Sequence, residues 1–205
     1  MIGLLFVALT RFVVGGHAQW HGTAPAARQR IYFANHSSHL DTLLIWSALP
    51  GRLRACTHPV AGADYWNRSA IRRLVSKRGL NAVLVERSGQ GADPLAPLRG
   101  ALCAGRSLVI FPEGTRGAER LPSAFKSGLY WLAVEFPDVE LVPVYLENPA
   151  RAFPKGALLP VPITCTARFG QALERIEAEG KPSFLERARL AVCALAPDTV
   201  ARAAT

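Results

Sequence analysis

Short apolar runs alternate with amphipathic segments along most of this chain, and that alternation limits the folds open to it. "RIYFAN" (30–35), "LRACTHPVA" (53–61), "NAVLVE" (81–86), "SLVIF" (107–111), "ELVPVYL" (140–146) and "ITCTARF" (163–169) read as strands. Residues 38–49, 64–79, 93–105 and 123–136 read as helices between them, and 183–195 as a closing helix. Pro50-Gly51 stops the first helix, Gly79 ends the second, and Pro94 stands near the first turn of the third. Strands alternating with helices predict an α/β fold built on a single-layer, mostly parallel mixed sheet flanked by helices. The 205 residues show no repeat and no linker, so one domain is expected over 17–205, preceded by an apolar segment at 1–16.

His36, Arg87 and Glu113 each follow the end of an apolar run. Open α/β sheets bind ligands outside the carboxyl ends of their strands. If these strands are parallel, three separate segments deliver polar groups to one sheet edge.

Half of the residues are hydrophobic, which excludes a disordered chain. The net charge of +9 implies an anionic partner. Aromatics are 8%, and there is no RNA-recognition signature, zinc finger or basic zipper, so membrane lipid or phosphate is expected rather than nucleic acid. Cys56, Cys103, Cys165 and Cys193 form no C-x-x-C pair, which fits a reduced compartment.

The N-terminal apolar stretch ends at Thr10, with Arg11 next. It is shorter than the roughly 20 residues of a spanning helix, and no basic residue precedes it as in a signal peptide. An interfacial anchor helix is expected, with Arg11 reaching the headgroups; a core helix is the alternative. Arg68, Arg72, Arg73, Lys77 and Arg78 would add a second attraction to anionic lipids, about 1 kcal/mol each near such a surface. They would also suit an acidic carrier protein or the phosphates of CoA.

"ANHSSHLDTLLIW" (34–46) gathers His36, His39 and Asp41. Ser38 through Asp41 has capping-box spacing, but a cap leaves His36 unexplained. His36, His39 and Asp41 as metal ligands would suit a metal-dependent hydrolase, yet H-x-x-H-x-D is a weak metal pattern. As a base, His36 needs Asp41 to fix its tautomer and offset the imidazolium charge. No G-x-S-x-G supplies a serine nucleophile, so the hydroxyl to be activated would belong to the substrate.

Asn35-His36 through Asp41 resembles the N-H-x-x-x-x-D motif of glycerolipid acyltransferases, the lysophosphatidic acid acyltransferase family. "GLNAVLVER" (79–87), "FPEGTR" (111–116), "AFKSG" (124–128) and "LVPV" (141–144) follow in the family's order. The resemblance implies a glycerolipid acyltransferase-like fold over 17–205. It implies transfer of an acyl group from acyl-CoA or acyl carrier protein to a lysophospholipid hydroxyl, most simply that of 1-acylglycerol-3-phosphate, giving phosphatidic acid. His36 would be the base and Asp41 its orienter, with neither metal nor cofactor. Arg87, Glu113, Gly114, Thr115 and Arg116 would form the acceptor site. Arginine suits a phosphate, whereas Glu113 is expected to hold Arg116 or accept a glycerol hydroxyl, or to form a plain surface ion pair with Arg116.

Lys126 is either an anion contact or a solvated helix residue. Pro143 in a strand suggests an edge or irregular site bordering the acyl channel or the core. Many relatives carry a phosphate-binding lysine about twenty residues after the histidine, and none lies between Arg54 and Arg68 here. Either Arg72 or Arg73 replaces it, or the acceptor has another headgroup. The apolar N-terminus and the basic segment at 68–78 together predict peripheral or monotopic attachment, expected on the cytoplasmic face of the inner membrane.

Overall fold

β2 (Arg30–Ala34) is buried at every residue, which explains why its sequence is apolar without alternation. Ile31 and Phe33 face one layer of helices, Tyr32 and Ala34 the other. In the computed structural model of this chain, which describes residues 2–63, 81–86, 93–154, 157 and 159–201, β2 lies at the middle of the sheet. The other strands are β1 (His17–Trp20), β3 (Thr57–Gly62), β4 (Val83–Val85), β5 (Ser107–Ile110), β6 (Glu140–Glu147) and β7 (Thr166–Phe169).

Among the described residues the seven strands run in the order β1-β7-β6-β2-β5-β3-β4. All neighbours are parallel except β6 and β7, so the sheet is mixed and mostly parallel. Its helices are α1 (Ile2–Val14), α2 (Asp41–Ala48), α3 (Gly51–Cys56), α4 (Ala96–Cys103), α5 (Gly128–Glu135), α6 (Pro149–Ala152), α7 (Lys181–Cys193) and α8 (Asp198–Ala201). α4, α5 and α7 bury Leu98, Leu102, Leu129, Leu132 and Phe184 against Ile31, Phe33, Leu108 and Ile110. α2 and the end of α1 bury Val14, Leu44, Ile45 and Leu49 against Tyr32, Val109, Val142 and Phe169. Each such fully buried large side chain stabilises the fold by about 1.5–3 kcal/mol.

Several elements differ from the sequence reading. Residues 53–56 are helical, and β3 begins only at Thr57, because Pro50 opens a new helix instead of merely closing α2. Residues 123–127 precede α5 and are not helical. Lys126 N–H bonds to the Pro112 carbonyl at 2.9 Å, so this segment is tied to the loop after β5.

Pro143 is in an interior strand, paired with Phe33, and not at an edge. The last β6–β7 pair is Val144 with Phe169, and the Pro143 carbonyl accepts Gly170 N–H at 2.9 Å just beyond it. The missing N–H of Pro143 therefore falls where that ladder ends and removes no rung.

Arg11 is exposed on α1, and its Nη2 donates to the Ser47 carbonyl at 2.8 Å, at the end of α2. α1 buries Val7, Thr10 and Val14 and leaves Leu9 and Phe12 exposed. The helix read at 64–79, with Arg72 and Arg73, lies outside the described residues, as does Arg87.

Candidate active site

The chain turns away from β2 at Asn35, whose side chain takes the place of the next rung. Its Nδ2 donates to the Leu146 carbonyl at 3.2 Å, and its Oδ1 accepts Leu146 N–H at 2.7 Å. The main chain is thereby released to present His36 at the carboxyl end of the sheet. Asn35 is buried and was given no role by the sequence reading, although it directly precedes the histidine.

Asp41 opens α2 and is fully buried. One oxygen, Oδ2, accepts Ser37 N–H at 2.6 Å, Ser38 N–H at 2.8 Å and the Nδ1–H of His36 at 2.7 Å. The cap and the orienting carboxylate are therefore the same group. Ser38 Oγ accepts Leu40 N–H at 3.3 Å and donates to the Phe153 carbonyl at 3.1 Å. With Nδ1 donating to the carboxylate, the neutral imidazole keeps its lone pair on Nε2. The ring stacks on Phe111, centroids 4.2 Å apart, and lines a cleft.

Glu113 does not pair with Arg116. Its buried Oε1 accepts the backbone N–H of His36 at 2.7 Å, and its Oε2 accepts Ser123 N–H at 3.0 Å and Ser123 Oγ–H at 2.7 Å. The His36 carbonyl accepts Gly117 N–H at 2.8 Å. Both backbone groups of His36 are thus held by the loop after β5. Ser123 carries no signal in the sequence, because its partner lies across a loop.

Arg116 Nη1 donates instead to His39 Nε2. Among the described residues, no group of three His, Cys, Asp or Glu side chains is placed to hold a metal ion.

Gly114 has a φ of +73°, and a Cβ there would meet the Lys126 side chain at 2.6–2.9 Å. The positive φ favours glycine, and any larger residue would also displace the end of the Lys126 side chain. The cleft measures about 400 Å³. Its polar part is formed by His36, His39, Thr115, Arg116 and Lys126, and its apolar part by Val60, Val85, Leu95, Leu98, Leu129 and Leu132. The structure brings together His36, Asp41, Glu113, Gly114, Thr115, Arg116 and Lys126. A base therefore faces a space lined by both polar and apolar side chains, which suits an amphiphile.

The family model described as Acyltransferase matches residues 17–147, more than half of the chain. The chain belongs to the Acyltransferase family. The chain is 27% identical over 175 residues to 1-acyl-sn-glycerol-3-phosphate acyltransferases of Limnanthes alba and Limnanthes douglasii. Those alignments cover 74% of this chain and 56% of each relative, so the chain spans little more than half of their length. The crystal structure of the 1-acyl-sn-glycerophosphate (LPA) acyltransferase PlsC from Thermotoga maritima superposes with a TM-score of 0.73 at 18% identity. That match covers 93% of this chain and 76% of the other, and it shows a shared fold.

Proposed function

We propose that this chain is an O-acyltransferase that moves a fatty acyl group from acyl-CoA or acyl carrier protein to the hydroxyl of 1-acylglycerol-3-phosphate, giving phosphatidic acid. The observation that carries the proposal is the His36–Asp41 pair, 2.7 Å apart, opening onto the two-part cleft. The names of the similar proteins support the choice of acceptor.

His36 Nε2 takes the proton of the acceptor hydroxyl as its oxygen attacks the thioester carbonyl carbon. Asp41 holds the ring and offsets the charge of the imidazolium. The tetrahedral adduct collapses, the C–S bond breaks, and the thiolate takes the proton back from His36. Diacyl lipid and free thiol leave. Neither a metal nor a cofactor enters these steps. The apolar part of the cleft takes an acyl chain and the polar part the headgroup.

No helix among the described residues is long and apolar enough to cross a membrane. Exposed Leu9 and Phe12 on α1 suit peripheral attachment, on the cytoplasmic face where thioester donors are made. Incubating the protein in detergent with labelled acyl-CoA and a panel of lysolipids tests the reading. Labelled phosphatidic acid is expected, unaffected by EDTA. Release of free fatty acid alone, or dependence on added zinc, would overturn it.

A further inference from the structure

His39 sits on the turn that carries the base, yet neither the His36–Asp41 pair nor the Glu113 link uses it. Its main chain is anchored on both sides. Ser38 N–H bonds to Asp41 Oδ2 at 2.8 Å, and Leu40 N–H bonds to Ser38 Oγ at 3.3 Å. The imidazole packs edgewise on Phe153, centroids 6.4 Å apart, and the Phe153 carbonyl is itself tied to the turn by Ser38 Oγ–H. Held in this way, His39 Nε2 accepts an N–H from Arg116 Nη1.

Arg116 is tied to that turn twice. Its neighbour Gly117 donates N–H to the His36 carbonyl at 2.8 Å, and its own guanidinium reaches His39. Both side chains line the cleft. Among the described residues no carboxylate forms an ion pair with Arg116, whereas Arg28, Arg30, Arg99, Arg168, Arg187 and Arg189 each have one. The choice of partner matters chemically. A carboxylate would fix the guanidinium and also offset its charge. An imidazole whose Nε2 accepts an N–H carries its proton on Nδ1 and is neutral. It fixes the guanidinium and leaves the whole positive charge to a ligand. An exposed arginine without such a partner would have to be ordered when the ligand binds, and that ordering weakens binding.

We infer that His39 is a positioning residue for Arg116: its neutral ring orders the guanidinium at the cleft before substrate arrives and does not neutralise it. The inference deepens the acyl-transfer reading and rests on it for the anion that Arg116 meets, the phosphate of the acceptor. His39 in this role touches neither the thioester nor the attacking hydroxyl, so acceptor binding reports on it and kcat does not. The role requires a neutral acceptor at the place of Nε2. His39→Gln supplies one through Oε1, and His39→Leu has none. Both His39 and Arg116 are exposed, so these changes leave the core intact.

The test is a double-mutant cycle on the full chain with 1-acylglycerol-3-phosphate and acyl-CoA, each variant checked for its fold by circular dichroism. His39→Leu is expected to raise the acceptor KM by about three- to tenfold, the effect of one long side chain left to be ordered on binding, with kcat and the acyl-CoA KM within about twofold of wild type. His39→Gln should recover most of the loss, which a merely structural role would not show. In an Arg116→Gln background, His39→Leu should raise the acceptor KM no further. An equal rise in that background would mean that His39 meets the substrate independently of Arg116, and overturns the inference. An unchanged acceptor KM in folded His39→Leu, or a fall in kcat alone, overturns it as well. Binding of a short-chain 1-acylglycerol-3-phosphate, measured by calorimetry across the same cycle, separates this result from the acyl-transfer reading. Wild-type protein that transfers nothing overturns that reading, and coupling between His39 and Arg116 in the calorimetry then still upholds the positioning role. Absence of both transfer and coupling overturns the two together.

Discussion

Glu113 Oε1 accepts the backbone N–H of His36 at 2.7 Å, across 77 positions of sequence. A buried carboxylate at the end of β5 thus sets the main chain of the base at the end of β2. Its other oxygen is anchored twice by Ser123, so the carboxylate has little freedom to shift.

Glu113→Gln tests this link. The three donors around the carboxylate all need an acceptor, and an amide supplies only one oxygen. Its NH2 must then oppose either the His36 N–H or the Ser123 pair. The variant is expected to lose about 1–3 kcal/mol of stability, read from denaturant unfolding. Its kcat should fall by about tenfold or more while the acceptor KM moves little, because the group acts through His36. A raised acceptor KM with normal kcat would instead make Glu113 a direct substrate contact.

Asp41→Asn separates geometry from charge. Ser37 and Ser38 both donate N–H to Oδ2, so the oxygen of an asparagine is held at that position and still accepts His36 Nδ1–H. The tautomer survives, but the imidazolium formed during turnover loses its counter-charge. The amide NH2 replaces Oδ1, which is buried with no partner, so a loss of about 1–3 kcal/mol of stability is expected, with kcat of the folded variant down by roughly 100-fold or more. His36→Ala should lose roughly 100- to 10,000-fold. Asparagine variant turnover within a few-fold of wild type would show that Asp41 serves only as a cap.

Much of the sheet was legible because its strands are buried on both faces and their residues have little choice but to be apolar. The parallel pairing of β5 with β2 and with β3 follows from helices α2, α3 and α4, which lie between these strands in sequence. β1 was missed because "HAQW" is short and half exposed, so neither apolarity nor alternation marks it. The His36–Asp41 pair was legible because both partners lie within one turn of sequence. Glu113 was located but given the wrong partner, and the helix read around Lys126 is absent at 123–127. Residues 123–127 have helix-like composition, and long-range bonds from Ser123 to Glu113 and from Lys126 to Pro112 override it. No local pattern encodes those bonds.

Cys165 offers a check on the packing behind the site. Burial, followed by the negative charges of Asp41 and Glu147, pushes its thiol up to about 12. Its reactive thiolate is therefore suppressed throughout the usual labelling range, whereas Cys56 and Cys103 are exposed. At pH 8 to 9 in native protein, maleimide should modify Cys56 and Cys103 rapidly and Cys165 only after denaturation, read by peptide mass. Native labelling of Cys165 as fast as that of Cys56 would contradict this packing of β7 against α2.

The last prediction concerns α1, which has two faces with different tasks. Val7, Thr10 and Val14 are buried, and Arg11 holds the Ser47 carbonyl, so deleting residues 1–14 would damage the fold as well as any anchor. Leu9 and Phe12 are 55% and 90% exposed and contribute little to that packing. Leu9→Ser with Phe12→Ser therefore isolates attachment. Burying two large apolar side chains in a bilayer interface is worth a few kcal/mol at most, of order 1.5–3 each. The double variant should keep its thermal midpoint within about 2 °C and its acyl transfer in detergent. Its co-sedimentation with anionic phospholipid vesicles should fall by about tenfold or more. Added salt should weaken what binding remains, since the excess cationic charge acts through screened attraction. Unchanged vesicle binding by the folded double variant would remove α1 as the attachment surface.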